Sequence, residues 1–340
     1  MKTDCTKNRI EYGDFIKAIG IILVVIGHIN SYNGLVKEWI YSFHMPLFFF
    51  AAGVVSVYGS QRTTNWKKFV TGKVKALLIP YALWGVAYSG VSFYKLKMLA
   101  YGSYYSIIRS ESLSSLWFLP VMFVAVSVFE VAKNIDKSSD KKLYRVFGLL
   151  LFAVAFVLPS VKVGYPFGVD AALVAAAFML WGYSFEKAAS GCCGYKSSKV
   201  LWIMFAVGFG ATLTELLNKV GGTGYVLMAD MHTGNAVLFV TAAAGGCVMI
   251  YAVARLVEKI NITAVKTTLE FIGRNTLVIF VIHKPLINMF TKYVDVINAP
   301  DLIKLVLVTV LVMLTCVPAI VIINRFAPWL AGKKYKNKRL

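Results

Sequence analysis

The chain has 340 residues, 58% of them hydrophobic and 15% charged, with a mean hydropathy of +0.68, which is too apolar for a water-soluble globular protein. Its 36 Lys and Arg against 16 Asp and Glu give a net charge of +20. In a soluble protein that balance would suggest nucleic acid; here the charge falls in short loops between apolar stretches, where it faces anionic lipid headgroups, and nucleic-acid binding is rejected.

A spanning helix takes roughly 20 mostly apolar residues. Ten stretches qualify, at 15–33, 39–58, 74–93, 116–132, 144–159, 169–186, 200–217, 236–256, 270–290 and 302–324, the fifth being the shortest. The N-terminus, the even-numbered loops and the C-terminal tail hold 25 of the 36 basic residues, including Arg62 to Lys75 and Lys133 to Arg145, against eight in the odd-numbered loops. Short basic loops stay in the cytoplasm. The expectation is an all-α polytopic integral membrane protein with about ten transmembrane helices, both termini cytoplasmic and residues 1–340 as one membrane domain, 1–14 and the basic tail 325–340 lying in the cytoplasm. The first apolar stretch carries Asp14, Lys17 and His28, and "SYNGLVKEW" offers no small-residue cleavage site, so it reads as a mature helix rather than a signal peptide. Cys5, Cys192 and Cys193 fall in inner segments and Cys247 and Cys316 in helices, so no disulfide framework is expected; no metal-ligand spacing occurs either.

Ionisable groups in spanning helices are costly and mark functional candidates. In "DFIKAIGIILVVIGH", Lys17 and His28 are 11 residues apart, close to three turns and a rise of roughly 16 Å. They share one face, with Asp14 a turn below Lys17 and Gly20 and Gly27 leaving room for a neighbouring helix or a thin ligand. In "SFHMPLFFF", Pro46 cannot donate to the Ser42 carbonyl and so opens the first turn where His44 sits. His28 and His44 flank a short outer turn near residue 36 symmetrically, which sets the two imidazoles at similar depth near the outer mouth. The blander readings are an interfacial His44, a Lys17 that only snorkels to the surface, and a Phe48–Phe50 run that faces lipid or packs. His232 reads as a solvated loop histidine.

Further along, "SSLWFLPVMF" sets Trp117 and Phe118 at the outer start of the fourth helix, as an aromatic belt or as the wall of a sugar site. Asp170, at the start of the sixth helix, and Glu215, near the outer end of the seventh, are the carboxylates best placed to orient a histidine or grip a hydroxyl-rich substrate. "IGRNTLVIFVIHKP" places Arg274 and Asn275 at the inner start of the ninth helix, with His283 and Lys284 further on. Arg274 reads equally as a phosphate clamp or as one more inside charge.

The segments "DFIKAIGIILVVIGH", "SFHMPLFFFAAG", "LWFLPVMF" and "IGRNTLVIFVIHKPL", in this order over residues 9–325, resemble the signature segments of the bacterial acyltransferase family 3 membrane proteins, in particular the group similar to fucose 4-O-acetylases. The resemblance implies a multi-pass protein of the bacterial cytoplasmic membrane. It would transfer an acyl group, usually acetyl from cytoplasmic acetyl-CoA, to hydroxyls of extracytoplasmic glycans. Many members carry an arginine where Lys17 stands, ahead of the histidine matched by His28; lysine keeps the charge and loses the bidentate fork.

On this reading Lys17, Arg274 and Asn275 hold the acyl-CoA. His28 and His44 are the catalytic pair, His28 as general base and His44 orienting the acceptor together with Trp117, while Phe118, His283, Glu215 and Asp170 complete the acceptor site. A covalent acetyl-histidine is a variant of the same chemistry. The competing reading from another class is a proton-coupled transporter of a small polar solute, with the histidines as a relay, although no internal repeat is present. Membrane lipids, acyl-CoA and the glycan are the expected partners.

Overall fold

The computed structural model describes residues 10–31, 34–59, 64–107, 114–139, 143–159, 161–191, 194–220 and 226–333. Cys5, Arg62, Cys192, Cys193 and most of the two expected cytoplasmic ends lie outside the described residues. The chain runs through α1 (Glu11–His28), α2 (Gly34–Tyr41), α3 (His44–Ser56) and α4 (Trp66–Lys73), the last continuing through a π-helical turn at Val74–Leu78 into α5 (Ile79–Ser89). Next come α6 (Phe93–Tyr101), α7 (Tyr104–Ile107), α8 (Phe118–Ser139), α9 (Tyr144–Val157), α10 (Val169–Gly191) and α11 (Ser198–Thr212). The last five are α12 (Thr214–Val220), α13 (Ala236–Val257), α14 (Thr263–Arg274), α15 (Thr276–Val294) and α16 (Asp301–Phe326). Among the described residues there is no strand, only an isolated bridge between Leu227 and His232.

Eight helical segments among the described residues are long and apolar enough to cross a membrane, so the fold is all-α, polytopic and multi-pass. Of the ten expected spans, the two that fall short of those measures are α9, with 14 residues, and α1, whose 18 residues include Glu11, Asp14 and Lys17. The arrangement of the bundle follows from these charges. A charged helix is costly against lipid, and α1 is enclosed by α2, α3, α13, α14, α15 and α16, with Phe15, Ile16, Ile21, Val24 and Val25 fully buried. Conversely α16, the most apolar span, is among the least buried.

Several expected helices are interrupted, and three of the interruptions have a local cause. The second span divides at Ser42–Phe43 because Pro46, in the first turn of α3, has no N–H to continue the helix; residue 36, expected in a turn, lies instead within α2. Asn275 divides the ninth: its backbone leaves the helical region and its side-chain amide donates to Phe271 O at 2.7 Å, competing with the helix's own ladder. Pro80 follows the π-helical turn of the third span, which absorbs the proline's clash with the preceding turn. The aromatic run of α3 faces inward, with Phe49 and Phe50 fully buried, so packing and not lipid is its environment.

Near the start of α1, the buried Glu186 of α10 ties four parts of the chain together. Its Oε1 accepts from Tyr12 Oη at 2.8 Å and Tyr58 Oη at 2.5 Å, and its Oε2 accepts from Tyr251 Oη at 2.8 Å. A carboxylate enclosed in apolar surroundings needs such donors on both oxygens.

α3 and α10 cross by direct backbone contact. A Cβ on Gly53 would lie 2.0 Å from the Met179 carbonyl oxygen, and one on Gly182 would lie 2.2 Å from that of Phe50. Gly53→Ala is expected to lose about 1–3 kcal/mol by forcing the helices apart, read as a lower Tm in detergent. Gly72→Ala, where nothing lies within 4 Å, should leave Tm unchanged or slightly raised.

Candidate active site

His28 ends α1, His44 begins α3 and His283 lies midway along α15. The fold brings the three rings together: His28 is 4.9 Å from His283 and 6.4 Å from His44 between ring centroids. Each ring is seated by the same device. Nδ1 of His28 lies 2.8 Å from Val24 O, that of His44 2.9 Å from Ile40 O, and that of His283 2.7 Å from Phe280 O. A carbonyl oxygen only accepts, so each Nδ1 carries its proton and donates, leaving Nε2 with a lone pair. The carbonyl that holds His44 also accepts from the Phe43 N–H at 3.2 Å, across the break after α2.

Two of these rings, His28 and His44, line a small chamber of about 60 Å³ with Tyr41, Ser115, Trp117 and Lys284. Leu227 and Met228 cap it from the loop before α13. Two buried side-chain polar atoms among the described residues have no hydrogen-bond partner in the protein: Ser115 Oγ, in the chamber wall, and His283 Nε2, on the ring beside His28. Unsatisfied buried groups are rare because each loses its hydration without replacement. One stands in the chamber wall and the other belongs to the ring packed against His28, so both lie close to the chamber that His28 lines.

A second, larger chamber of about 520 Å³ adjoins it, lined mainly by apolar side chains of α3, α8 and α15 and by the charged Lys17, Lys73 and Glu130. The ionic end is tightly cross-linked. Lys17 Nζ lies 2.6 Å from Asp14 Oδ1, Arg274 Nε 3.4 Å from Asp14 Oδ2, and Arg274 Nη2 2.5 Å from Glu270 Oε2. Gly273 permits this approach, since a Cβ there would lie 2.1 Å from the Asp14 carbonyl oxygen. Lys17 and Arg274 thus converge on one buried carboxylate, and Lys73 adds a further cation to the chamber wall.

A family profile described as an acyltransferase domain matches residues 10–325. The chain belongs to this acyltransferase family. Nodulation protein NolL of Mesorhizobium japonicum is 27% identical over 179 residues, covering 48% of this chain and 47% of that protein, so the match spans about half the length of either. No solved structure matches.

Within this member of the family, the residues expected from sequence divide into those that meet and those that do not. His28, His44 and Trp117 line the small chamber, His283 packs against His28, and Lys17 lines the large one. Phe118 turns the other way from Trp117, into the large chamber, where it packs at 5.2 Å from both Phe49 and Phe280. Asn275 is not turned to a ligand. Besides donating to Phe271 O, it accepts at Oδ1 from Asn324 Nδ2 at 2.8 Å and Lys333 Nζ at 2.6 Å, which pins the α14–α15 break to the C-terminal region. Glu215 lies in a separate groove of about 250 Å³ with Leu35, Trp39 and Lys219, and Asp170 sits near Asp230 at the start of α10; neither lines the histidine chamber. The room beside Gly20 and Gly27 is taken by Phe48 and Tyr41 rather than by a ligand path.

Sequence reading missed Ser115, Tyr41, Lys284 and Lys73 as site residues. Ser115, two positions before Trp117, carries no signal of its own, and Lys73 reads as one of a run of loop charges.

Ser115→Ala removes a hydroxyl that has no partner to lose, so it should leave Tm unchanged or raise it. Asn275→Ala, by contrast, strands several half-buried partners and should cost about 1–3 kcal/mol. Parallel thermal unfolding in detergent compares the two.

Proposed function

We propose that this protein is a membrane O-acyltransferase that moves an acyl group, acetyl from cytoplasmic acetyl-CoA, to a hydroxyl of an extracytoplasmic carbohydrate or cell-envelope glycan. The observation that carries the reading is the pair of adjoining chambers: a large, mainly apolar one with cations at one end, and a small one whose imidazoles hold their lone pairs on Nε2. Family membership supports the reaction class, and the basic loops support an inner-membrane orientation with Lys17 toward the cytoplasm.

In this mechanism the charged head of the donor docks near Lys17, Lys73 and Arg274, and its flexible arm occupies the large chamber. Thioester carbonyl and acceptor hydroxyl meet beside His28. The His28 Nε2 lone pair takes the hydroxyl proton as the acceptor oxygen attacks the thioester carbon, and the carbonyl electrons move to oxygen. Lys284 and the Ser115 hydroxyl stabilise that oxyanion. Collapse re-forms the carbonyl and breaks the carbon–sulfur bond, and the CoA thiolate recovers the proton from the His28 imidazolium. The backbone bond from Nδ1 to Val24 O holds the ring in the correct tautomer throughout.

Transfer of radiolabelled acetyl from acetyl-CoA to the glycan fraction of membranes expressing the protein tests this. His28→Ala and His28→Gln are expected to lower transfer by roughly 10²–10⁴-fold, with the protein still folded by Tm. Near-normal transfer in both variants rejects the role of His28. Absence of both label and CoA release in the wild type rejects the reaction and turns attention to solute transport.

A further inference from the structure

The two chambers meet at one side chain. Among the described residues Phe280 alone lines both. It is 5% exposed, and its ring packs 5.2 Å from Phe118 and 5.9 Å from His283 between centroids. Phe118 in turn packs 5.8 Å from Phe48, which also lines the large chamber. An aromatic cluster therefore narrows the way from the large chamber to the small one, with Phe280 at the boundary. Phe280 is held there from two directions: its own carbonyl accepts from His283 Nδ1, and its ring is wedged against Phe118.

The face of α15 explains the register. Thr276 and Leu277 line the large chamber, Phe280 lies one turn on, and Lys284, another turn on, lines the small one. Four-residue spacing on a helix keeps these side chains on one side. Phe280 thus stands on the only turn of α15 that lies between the donor chamber and the histidines.

Size gives this position a consequence. The large chamber, at about 520 Å³, has ample room for an extended arm, whereas the small one, at about 60 Å³, takes only a few atoms beside the histidines. A donor arriving through the large chamber presents its acyl group tip first. The atoms beyond the thioester carbonyl then enter the small chamber or press on Phe280. From this geometry, and resting on the acyl-transfer reading above, we infer that Phe280 sets the length of the acyl group, admitting acetyl and rejecting chains with further methylenes. Phe280 is a specificity-determining residue here and takes no part in proton transfer.

The test compares acetyl-CoA with butyryl-CoA, each radiolabelled in the acyl group, in membranes containing wild type, Phe280→Ala or Phe280→Leu, with Tm confirming folding and the glycan fraction and free CoA both followed. The wild type is expected to favour acetyl, and Phe280→Ala to shift the ratio of kcat/KM toward butyryl by roughly tenfold or more, since each methylene that fits or fails in an apolar pocket changes selectivity on that scale. Phe280→Leu should shift it in the same direction by less, and stands in if the alanine variant does not fold. A gain of butyryl transfer is not something misfolding produces. A wild type that uses both donors equally, or folded variants that keep the wild-type ratio while still transferring acetyl, overturns the inference and leaves the acyl-transfer reading standing. A wild type that transfers neither group defeats that reading, and this inference with it.

Discussion

Enclosure of α1 is the constraint on which the rest of the bundle depends. A helix that carries Asp14 and Lys17 at one end and His28 at the other is unstable against hydrocarbon, because neither lipid nor an apolar neighbour replaces the hydration its charges lose. The chain resolves this by wrapping α1 in six other helices and giving its polar groups partners: Lys17 and Arg274 share Asp14, and His28 donates to its own helix. Helices without such a burden, α16 above all, are left to face lipid.

The same enclosure creates the site. Once α1 is central, α3 and α15 must pass beside it, and both arrive with a break near the point of approach. The break before His44 and the one at Asn275 release backbone groups that an unbroken helix would have used internally. The Ile40 carbonyl, which also takes the Phe43 N–H, seats His44, and Asn275 ties the second break to Asn324 and Lys333. Irregular backbone inside a membrane is tolerated where it is buried in protein, and here it is buried at the edge of two chambers. Among the described residues the unpartnered Ser115 hydroxyl and His283 Nε2 are the exceptions to this economy of partners, the first in the wall of the small chamber and the second on the ring packed against His28.

Not every polar residue inside the bundle serves the chemistry. Glu186, with its three tyrosine hydroxyls, is as deeply buried as any histidine yet fully satisfied, and its effect is to fasten α1, α10 and α13 to the end of α3. Asn275 is similar. Whether a buried polar atom is saturated or open separates the groups that hold the fold from those available to a ligand.

Sequence by itself determined the class of fold, because the length and spacing of apolar runs are set by the thickness of the bilayer and need no knowledge of neighbours. It also determined that Lys17 and His28 lie about three turns apart on one face, since helical periodicity fixes that locally. Pro46 announced the break beside His44 for the same reason. What only the tertiary structure decided was which faces meet. The 4.9 Å approach of His283 to His28 joins residues far apart in the chain, and the opposite directions of Trp117 and Phe118 depend on where α15 passes. The seclusion of Glu215 with Trp39, and the capture of Asn275 by Asn324 and Lys333, are likewise packing outcomes. In a membrane every helix is apolar on most sides, so the hydrophobic pattern that reveals the inner face of a soluble helix carries little information about which neighbour it will choose.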